Sequence, residues 1–586
     1  MLLGQAGHIN CQFRRNQSRV ARPDPRSDLN ERVSVSSSAY DTVADADVNA
    51  TPSIPAADRK GAPGWAIPFA VAIIVRLTFI LINDIDSGDW VSRTLWARDF
   101  VDHHTALWAR TPWPEGNYLL PALPMLLGGD AYWSVRVTAA LVASLAIPLI
   151  YLIGRRVGGP PAASVAAWVL AFLPHHIYVS ANGAMTEAPF LVFLLGATLT
   201  GSIWAERPRE TRWLIYSGLW VLGAELFRFD GVFVGACIGL LALLTRDDSG
   251  FVVRRPWAIR TIALFAAIAL AYPVALLLSW RSIYGGDALY MVRLAQDNSL
   301  QFFASGEHPR WPRSLYLTYS ALFWPFLAPA FALTPAVWGT SLWGAWIARR
   351  RVQTRFVLLP IAFLTAFYMR GAFEHTLLNQ LRYITAIAIP LLAFFAVPFL
   401  KLRPARRRLV AAACVAGALL TQAVAFDAAW HDRGVISRQL GRFALIRPNQ
   451  HAARDVMKWI DQHVSKGQRV IFTPHVDSPW LALALDKDRP DIATLDVYRT
   501  ANMVYDSSGM TAALRDTIAT ARWVVTSGGS NVQGLQDGLV SELVRPAPSD
   551  QPGVLQWNGI PMRLRAEIGG LKVFEVVPQD AHAKQF

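Results

Sequence analysis

The sequence predicts a polytopic α-helical membrane protein of about eleven spans, closed by a soluble α/β domain at its C-terminus. Three observations carry this. Hydrophobic residues make up 53% of the 586 residues and charged residues only 17%, against about a quarter charged in soluble chains. The apolar character is concentrated between Trp65 and Phe426, in runs interrupted by short charged clusters. Those clusters are rich in arginine and recur at alternate span ends, as the positive-inside bias requires.

Taken in order, residues 1–62 are rich in Ser, Asp, Arg and Pro and lack periodicity, which predicts a disordered cytoplasmic tail. The tail is too long and polar for a cleaved signal peptide, so 65–82 is expected to be a retained first span. Crossing the hydrocarbon core takes about 20 apolar residues. The remaining candidates are 134–153, 161–179, 187–204, 213–227, 230–245, 259–279, 328–347, 356–369, 384–400 and 409–426. The membrane domain is thus expected over 63–427, with its first outer loop at 83–133 and the soluble domain over 428–586.

The formal net charge of +14 does not indicate nucleic acid. It resides in clusters such as Arg155–Arg156, Arg207–Arg212, Arg254–Arg260, Arg349–Arg351 and Arg406–Arg408, with no basic stripe interleaved with stacking aromatics. With a cytoplasmic N-terminus, every one of these clusters falls on the cytoplasmic side. The odd number of spans then places the C-terminal domain outside. This parity depends on reading 213–245 as a hairpin turning at Phe227-Arg228-Phe229-Asp230, because a single helix would invert everything downstream. The three cysteines, Cys11, Cys237 and Cys414, form neither a disulfide framework nor a metal-ligand pattern.

In the C-terminal segment, 452–464, 479–485 and 511–521 have helical character, while 469–473, 492–497, 523–526 and 572–577 read as strands. That alternation predicts a small α/β domain. Ser527-Gly528-Gly529 follows a strand, but without GxGxxG or Gly-Lys-Ser/Thr it reads as a plain loop.

The chemistry is expected in the first outer loop. Asn83-Asp84-Ile85-Asp86-Ser87-Gly88-Asp89-Trp90 places three carboxylates within six residues just past the first span. Carboxylates at this depth either face water or serve a site. An amphipathic segment, 92–101, and the aromatic, turn-forming Trp113-Pro114-Glu115-Gly116-Asn117-Tyr118 follow at interface depth. On the same expected face stand His175, His176, Glu187 at a span start, the Arg228/Asp230 turn, Arg370, Glu374, His375 and Arg382-Tyr383. Each has a plain alternative: Glu187 suits a helix N-terminus, Arg228/Asp230 a neutralising ion pair, and Arg382 a snorkelling cation. Together they suit an anionic lipid-linked substrate, with Asp as proton acceptor and Arg on a departing phosphate.

These features resemble the membrane-embedded glycosyltransferases of the GT-C superfamily, in particular the protein mannosyltransferase-like group (glycosyltransferase family 39-like). The resemblance rests on Asp89-x-x-x-Arg93, Trp113 through Pro121, Pro174-His175-His176-Ile177 with Thr186-Glu187, Arg228-Phe229-Asp230-Gly231 and Arg382-Tyr383, in that order. It covers about 65–426. It implies a GT-C-like fold in a bacterial inner membrane. It also implies transfer of a mannose-like hexose or similar sugar from a polyprenyl-phosphate donor to a hydroxyl on a glycan, lipid or protein, at the outer face and with inversion. Asp89, or else Asp86, is the expected catalytic base. Asp84, Arg93, His176, Glu187, Arg228, Asp230, Arg382 and Tyr383 are the expected substrate-binding residues. The first loop lacks an Asp-Glu pair and no His-Pro-Pro follows, so the choice of carboxylate and the use of a divalent metal stay open. The principal alternative is a transporter or lipid flippase without chemistry, which calls for midplane charges and inverted repeats. A scaffold whose outer domain binds a partner is a third reading.

Overall fold

The computed structural model describes residues 63–83, 89–104, 108–111, 113–181, 183, 185–247, 250–304, 311–377, 379–431, 440–441, 443–446, 452–472, 492–494, 520–527, 547–548, 554–557, 560–569 and 571–577. The tail 1–62, the acidic stretch 84–88, the expected helix 479–485 and nearly all of 511–521 lie outside them.

Helix occupies each of the eleven expected span positions. Among the described residues, seven stretches are long and apolar enough to cross a membrane on their own: 133–172, 187–206, 256–283, 313–333, 352–373, 381–400 and 404–431. Ala66–Ile82 and Gly231–Leu244 are shorter apolar helices.

The 133–172 stretch is two antiparallel helices. At Gly159 the backbone takes φ 80 and ψ 178, a conformation open mainly to glycine, and Pro160-Pro161 follow. A Cβ on Gly154 would lie 3.2 Å from the Ala163 Cα, although nine residues of straight helix span about 13 Å. The chain therefore doubles back here, as the separate runs 134–153 and 161–179 predict. Leu173 is extended and ends the second helix early, and Pro174–Ala181 forms a short helix of its own.

The helices 212–225 and 231–244 likewise form a hairpin. A Cβ on Gly235 would meet Val221 at 2.9 Å, so the two run side by side against the 256–283 helix, as the arginine pattern requires.

The segment expected as one span at 328–347 is broken instead. Thr334 adopts φ 73 and caps the helix Pro335–Ile347, its Oγ1 accepting from the Val337 N–H at 3.5 Å. The two pieces still make one passage through the bundle. Tyr316 donates to the Ala372 carbonyl at 3.2 Å near the end that carries the first loop. At the opposite end Arg351 donates to the Arg156 carbonyl at 3.0 Å, while Arg156 and Gln353 both engage the Glu206 carboxylate. Three of the predicted arginine clusters thus lie at that opposite end.

The first loop is helical. Asp89–His103 and Gly116–Leu126 pack through Trp96, Ala97, Tyr118 and Ala122. The second of these helices corrects the turn-forming reading of 113–118 from Gly116 onward; Pro121 and Pro124 lie inside it. Another helix, Tyr290–Ala304, lies between the 256–283 and 313–333 helices.

Among its described residues the C-terminal domain forms a seven-stranded mixed sheet in the order 492–494, 470–472, 523–527, 571–576, 560–568, 554–557, 547–548. The first two pairings are parallel and the rest antiparallel. On it lies Ala452–His463, which buries Val456, Met457 and Ile460. The same buried cluster includes Trp90, Ala131, Tyr132 and Val135. The C-terminal domain therefore packs on the end of the bundle that carries the first loop.

Candidate active site

The site assembles around the turn 226–230. Arg228 N–H closes the end of the preceding helix on Ala224 O at 3.0 Å, and Gly231 N–H bonds Arg228 O at 3.0 Å. Gly231 is required here because a Cβ would lie 2.7 Å from the Glu225 nitrogen. The tight turn holds Arg228 and Asp230 on one side. Arg228 Nε and Nη2 both donate to Asp230 Oδ2, at 2.9 and 2.8 Å. Arg228 Nη1 stands 3.4 Å from Glu187 Oε1, and the guanidinium covers the Tyr383 ring at 4.6 Å.

Glu187 begins the helix Glu187–Glu206, where a carboxylate complements the N-terminal dipole. Its Oε1 also faces Arg382 Nε at 3.5 Å. Arg382 donates more closely to Gln380 Oε1, at 2.7 Å, from the short 3-10 turn that opens the next helical run. Five predicted residues, Glu187, Arg228, Asp230, Arg382 and Tyr383, thus meet in one cluster built from three separate stretches of chain.

Asp230 and Gln380 hold the two arginines firmly, whereas Glu187 holds both at the outer limit of ion-pair distance. Among the described residues Glu187 Oε2 accepts no hydrogen bond. Side-chain exposure of 14%, 13% and 16% at Arg228, Asp230 and Arg382 leaves the cluster reachable. Burial disfavours the Arg228 charge, but Asp230, then Tyr368 and Glu187, more than offset it, so its pKa goes up.

The aromatic strip of the first loop docks on this turn. Gly116 N–H donates to Leu226 O at 2.7 Å, and Asn117 Nδ2 donates to Phe227 O at 3.1 Å. A Cβ at 116 would lie 2.5 Å from that same Leu226 oxygen, so only glycine permits the approach. Glu115 Oε1 accepts from Ala109 N–H at 3.0 Å and its Oε2 accepts from the Tyr272 hydroxyl. Burial, then Glu115, raises the Tyr118 pKa. Arg93 is buried and lies over the Trp113 ring at 5.1 Å, which places it beside the strip that carries Asn117.

Asp84 and Asp86 lie outside the described residues. Asp89 opens the 89–103 helix, and its side chain is not among the described ones. His176 stands apart from the cluster. It is fully buried, and its Nδ1 accepts from Arg76 Nη2 at 2.5 Å, while Arg76 also donates to Ala72 O and Ala171 O. His175 shares a hydrogen bond with Thr385 Oγ1 at 2.9 Å. Among the described residues no three His, Cys, Asp or Glu side chains come together as a metal set. Glu187 and Asp230 are already committed to arginine.

Sequence reading missed Tyr368, whose hydroxyl donates to Asp230 Oδ2 at 2.6 Å. Within an apolar span it carried no signal except its spacing from Arg370. Arg76 was also missed, although a lone arginine inside a first span was a legible signal.

The fold and this site define a class: a multi-span membrane protein of the GT-C type, with its polar cluster at the end bearing the first loop. Comparison with known proteins agrees. Residues 112–276 match the family model described as dolichyl-phosphate-mannose-protein mannosyltransferase. The chain is 27% identical over 292 residues to undecaprenyl phosphate-alpha-4-amino-4-deoxy-L-arabinose arabinosyl transferase 2 of Pseudomonas fluorescens, covering 47% of this chain and 45% of that protein. It is 24% identical to arabinosyl transferase 1 of the same organism, covering 52% and 55%. It therefore spans about half the length of the curated relatives it matches. Among solved structures, ArnT from Cupriavidus metallidurans bound to undecaprenyl phosphate superposes with a TM-score of 0.52 at 15% identity, covering 89% of this chain and 99% of that one. The chain thus shares a GT-C-type fold with ArnT and is similar, over residues 112–276, to the protein mannosyltransferase family.

Proposed function

We propose that this protein transfers a sugar from a polyprenyl-phosphate donor to an acceptor hydroxyl at the outer face of a bacterial inner membrane. The observation that carries this is the convergence of Glu187, Arg228, Asp230, Arg382 and Tyr383 at the end of the bundle bearing the first loop. The donor's phosphate takes the position that Glu187 shares with both arginines, since that is the loosely held contact. Asp230 and Gln380 keep the guanidiniums aimed while the phosphate displaces it. Asp89, with Asp86 as the other candidate, takes the proton of the acceptor hydroxyl. The oxygen forms its bond to the anomeric carbon as the bond to phosphate oxygen breaks, releasing the polyprenyl phosphate with inversion. Arg228 and Arg382 stabilise the charge that develops on the leaving phosphate.

The sugar is the finer part of the proposal. The resemblance implies a mannose-like hexose, whereas the matched Pseudomonas proteins are named for an aminoarabinose. Both donors therefore belong in the assay, and a glycan, lipid or protein hydroxyl is the acceptor class. Lipid contacts come from the exposed apolar faces of the bundle, such as Leu409, Leu419 and Leu420 on the last membrane helix.

The test is radiolabel transfer by the purified protein from polyprenyl-phosphate sugars, comparing wild type with Asp89→Asn. Loss of a general base is expected to lower kcat by about a hundredfold or more. Full activity in Asp89→Asn removes that residue from the mechanism. Movement of labelled lipid across a bilayer without product identifies a flippase instead.

A further inference from the structure

We propose that the chain beyond the last membrane helix is a positioning element for the acidic stretch of the first loop, acting through the two residues that bracket it, Asn83 and Trp90. The inference rests on the catalytic reading of that stretch given above. Asn83 is buried, and its Nδ2 donates to the Leu445 carbonyl at 3.0 Å. Leu445 is itself fixed to the membrane domain. Its N–H donates to Gln422 Oε1 at 3.1 Å, and Gln422 Nε2 donates back to the Phe443 carbonyl at 3.4 Å. Phe443 stacks on His175, with ring centroids 4.7 Å apart and planes 16° from parallel, and meets Tyr178 at 4.6 Å. A short strap after the last membrane helix is thus plugged between helices by Phe443, and the Leu445 carbonyl two residues on holds Asn83.

On the other flank, Trp90 is buried and sits in one apolar cluster with Val456, Ile460, Trp523 and Val573 of the C-terminal domain. Its ring covers Gly183, where a Cβ would come within 2.8 Å of the indole and where φ is +71. The two flanks are joined to each other. Arg136 donates to the Asn83 carbonyl at 3.0 Å, to Ala181 O at 3.1 Å and to the Tyr132 hydroxyl at 2.6 Å, and Tyr132 lies 6.4 Å from Trp90.

The physical need is plain. Three carboxylates within six residues repel one another and favour water over any fixed place. A base that must meet an acceptor hydroxyl in a near-attack geometry needs its chain held at both ends. The C-terminal part supplies contacts to both ends. Its loss is therefore expected to lower turnover and to leave donor affinity in place.

The test uses the full chain in lipid nanodiscs, with Cys11 and Cys414 replaced by serine and Ser87→Cys as the probe for a membrane-impermeant maleimide. Asn83→Leu removes the bond to Leu445 at nearly constant volume, Phe443→Ala removes the plug, and Phe443→Leu restores most of it. The expected result is labelling faster by about fivefold or more in the first two variants, with Phe443→Leu close to wild type. In the corresponding proteins that retain Ser87, kcat should fall about tenfold while the donor KM stays within about twofold. Unchanged labelling in Asn83→Leu and Phe443→Ala overturns the proposal. So does a rise in acceptor KM at constant kcat, which would make the C-terminal domain an acceptor site instead. If wild type transfers no sugar, the proposed function fails, while the labelling rates still decide whether the clamp exists.

Discussion

Tyr368→Phe isolates one contact of the cluster. Asp230 Oδ2 accepts three donors: Arg228 Nε at 2.9 Å, Arg228 Nη2 at 2.8 Å and the Tyr368 hydroxyl at 2.6 Å. The phenylalanine keeps the ring that packs 4.9 Å from Trp324, so the change removes a single buried hydrogen bond to a charged acceptor. Such bonds contribute about 1.5–3 kcal/mol. The two remaining bonds from Arg228 keep Asp230 paired, so the lower half of that range is expected, with none of the roughly 3–5 kcal/mol that follows when one partner of a buried ion pair is deleted. Because Asp230 aims Arg228, the loss should fall on the phosphate contact and reduce kcat/KM by about ten- to thirtyfold. Sugar transfer from the polyprenyl-phosphate donor, measured beside thermal unfolding in detergent, gives both numbers. Asp230→Asn should be markedly worse in both. Wild-type kcat/KM in Tyr368→Phe, at unchanged stability, would refute the view that Asp230 aims Arg228.

Four further changes probe other parts of the structure. Gly116→Ala puts a methyl 2.5 Å from the Leu226 oxygen, which forces the first loop off the Arg228 turn; kcat should fall about a hundredfold, the usual consequence of a 1 Å misplacement, and normal turnover would sink the docking argument. Gly159→Ala meets nothing within 4 Å but must hold φ +80, so it should lower stability by about 1–2 kcal/mol, whereas Gly339→Ala, in a helix with open space around it, should raise it by up to about 1 kcal/mol; unfolding midpoints of the two variants compare them directly. His375 is pushed below the usual histidine value of 6.5 by burial and then by Arg313, so the folded protein binds that proton less readily than the unfolded chain. Its contribution to stability is complete above 6.5 and is lost as pH falls, and the pH dependence of unfolding between about 7 and 5 should flatten in His375→Gln.

Much of the membrane domain was legible because a bilayer leaves the sequence few choices. Unpaired backbone groups in hydrocarbon force helices, and charge asymmetry fixes which span ends belong together. The hairpin at Arg228 was read from arginine parity alone, and the close approach of Gly235 to Val221 bears it out. The break at Thr334 was not legible, since a threonine before proline at φ 73 looks like continuous apolar sequence. In the C-terminal domain the antiparallel strands 554–557 and 560–568 were overlooked although Asn558-Gly559 stands between them, the strongest short-range hairpin signal.

The sequence by itself determined the class of protein, the grouping of its polar segments at one end of the bundle, and five of the residues that meet there. Glycines, prolines and charges act locally, and those local constraints could be read in order along the chain. Only the tertiary structure decided that Glu187 is shared by two arginines, that Tyr368 holds Asp230, that His176 is occupied by Arg76, and that the C-terminal domain grips the first loop. These contacts join residues up to several hundred positions apart. Their partners are chosen by helix packing and burial, which no local pattern records.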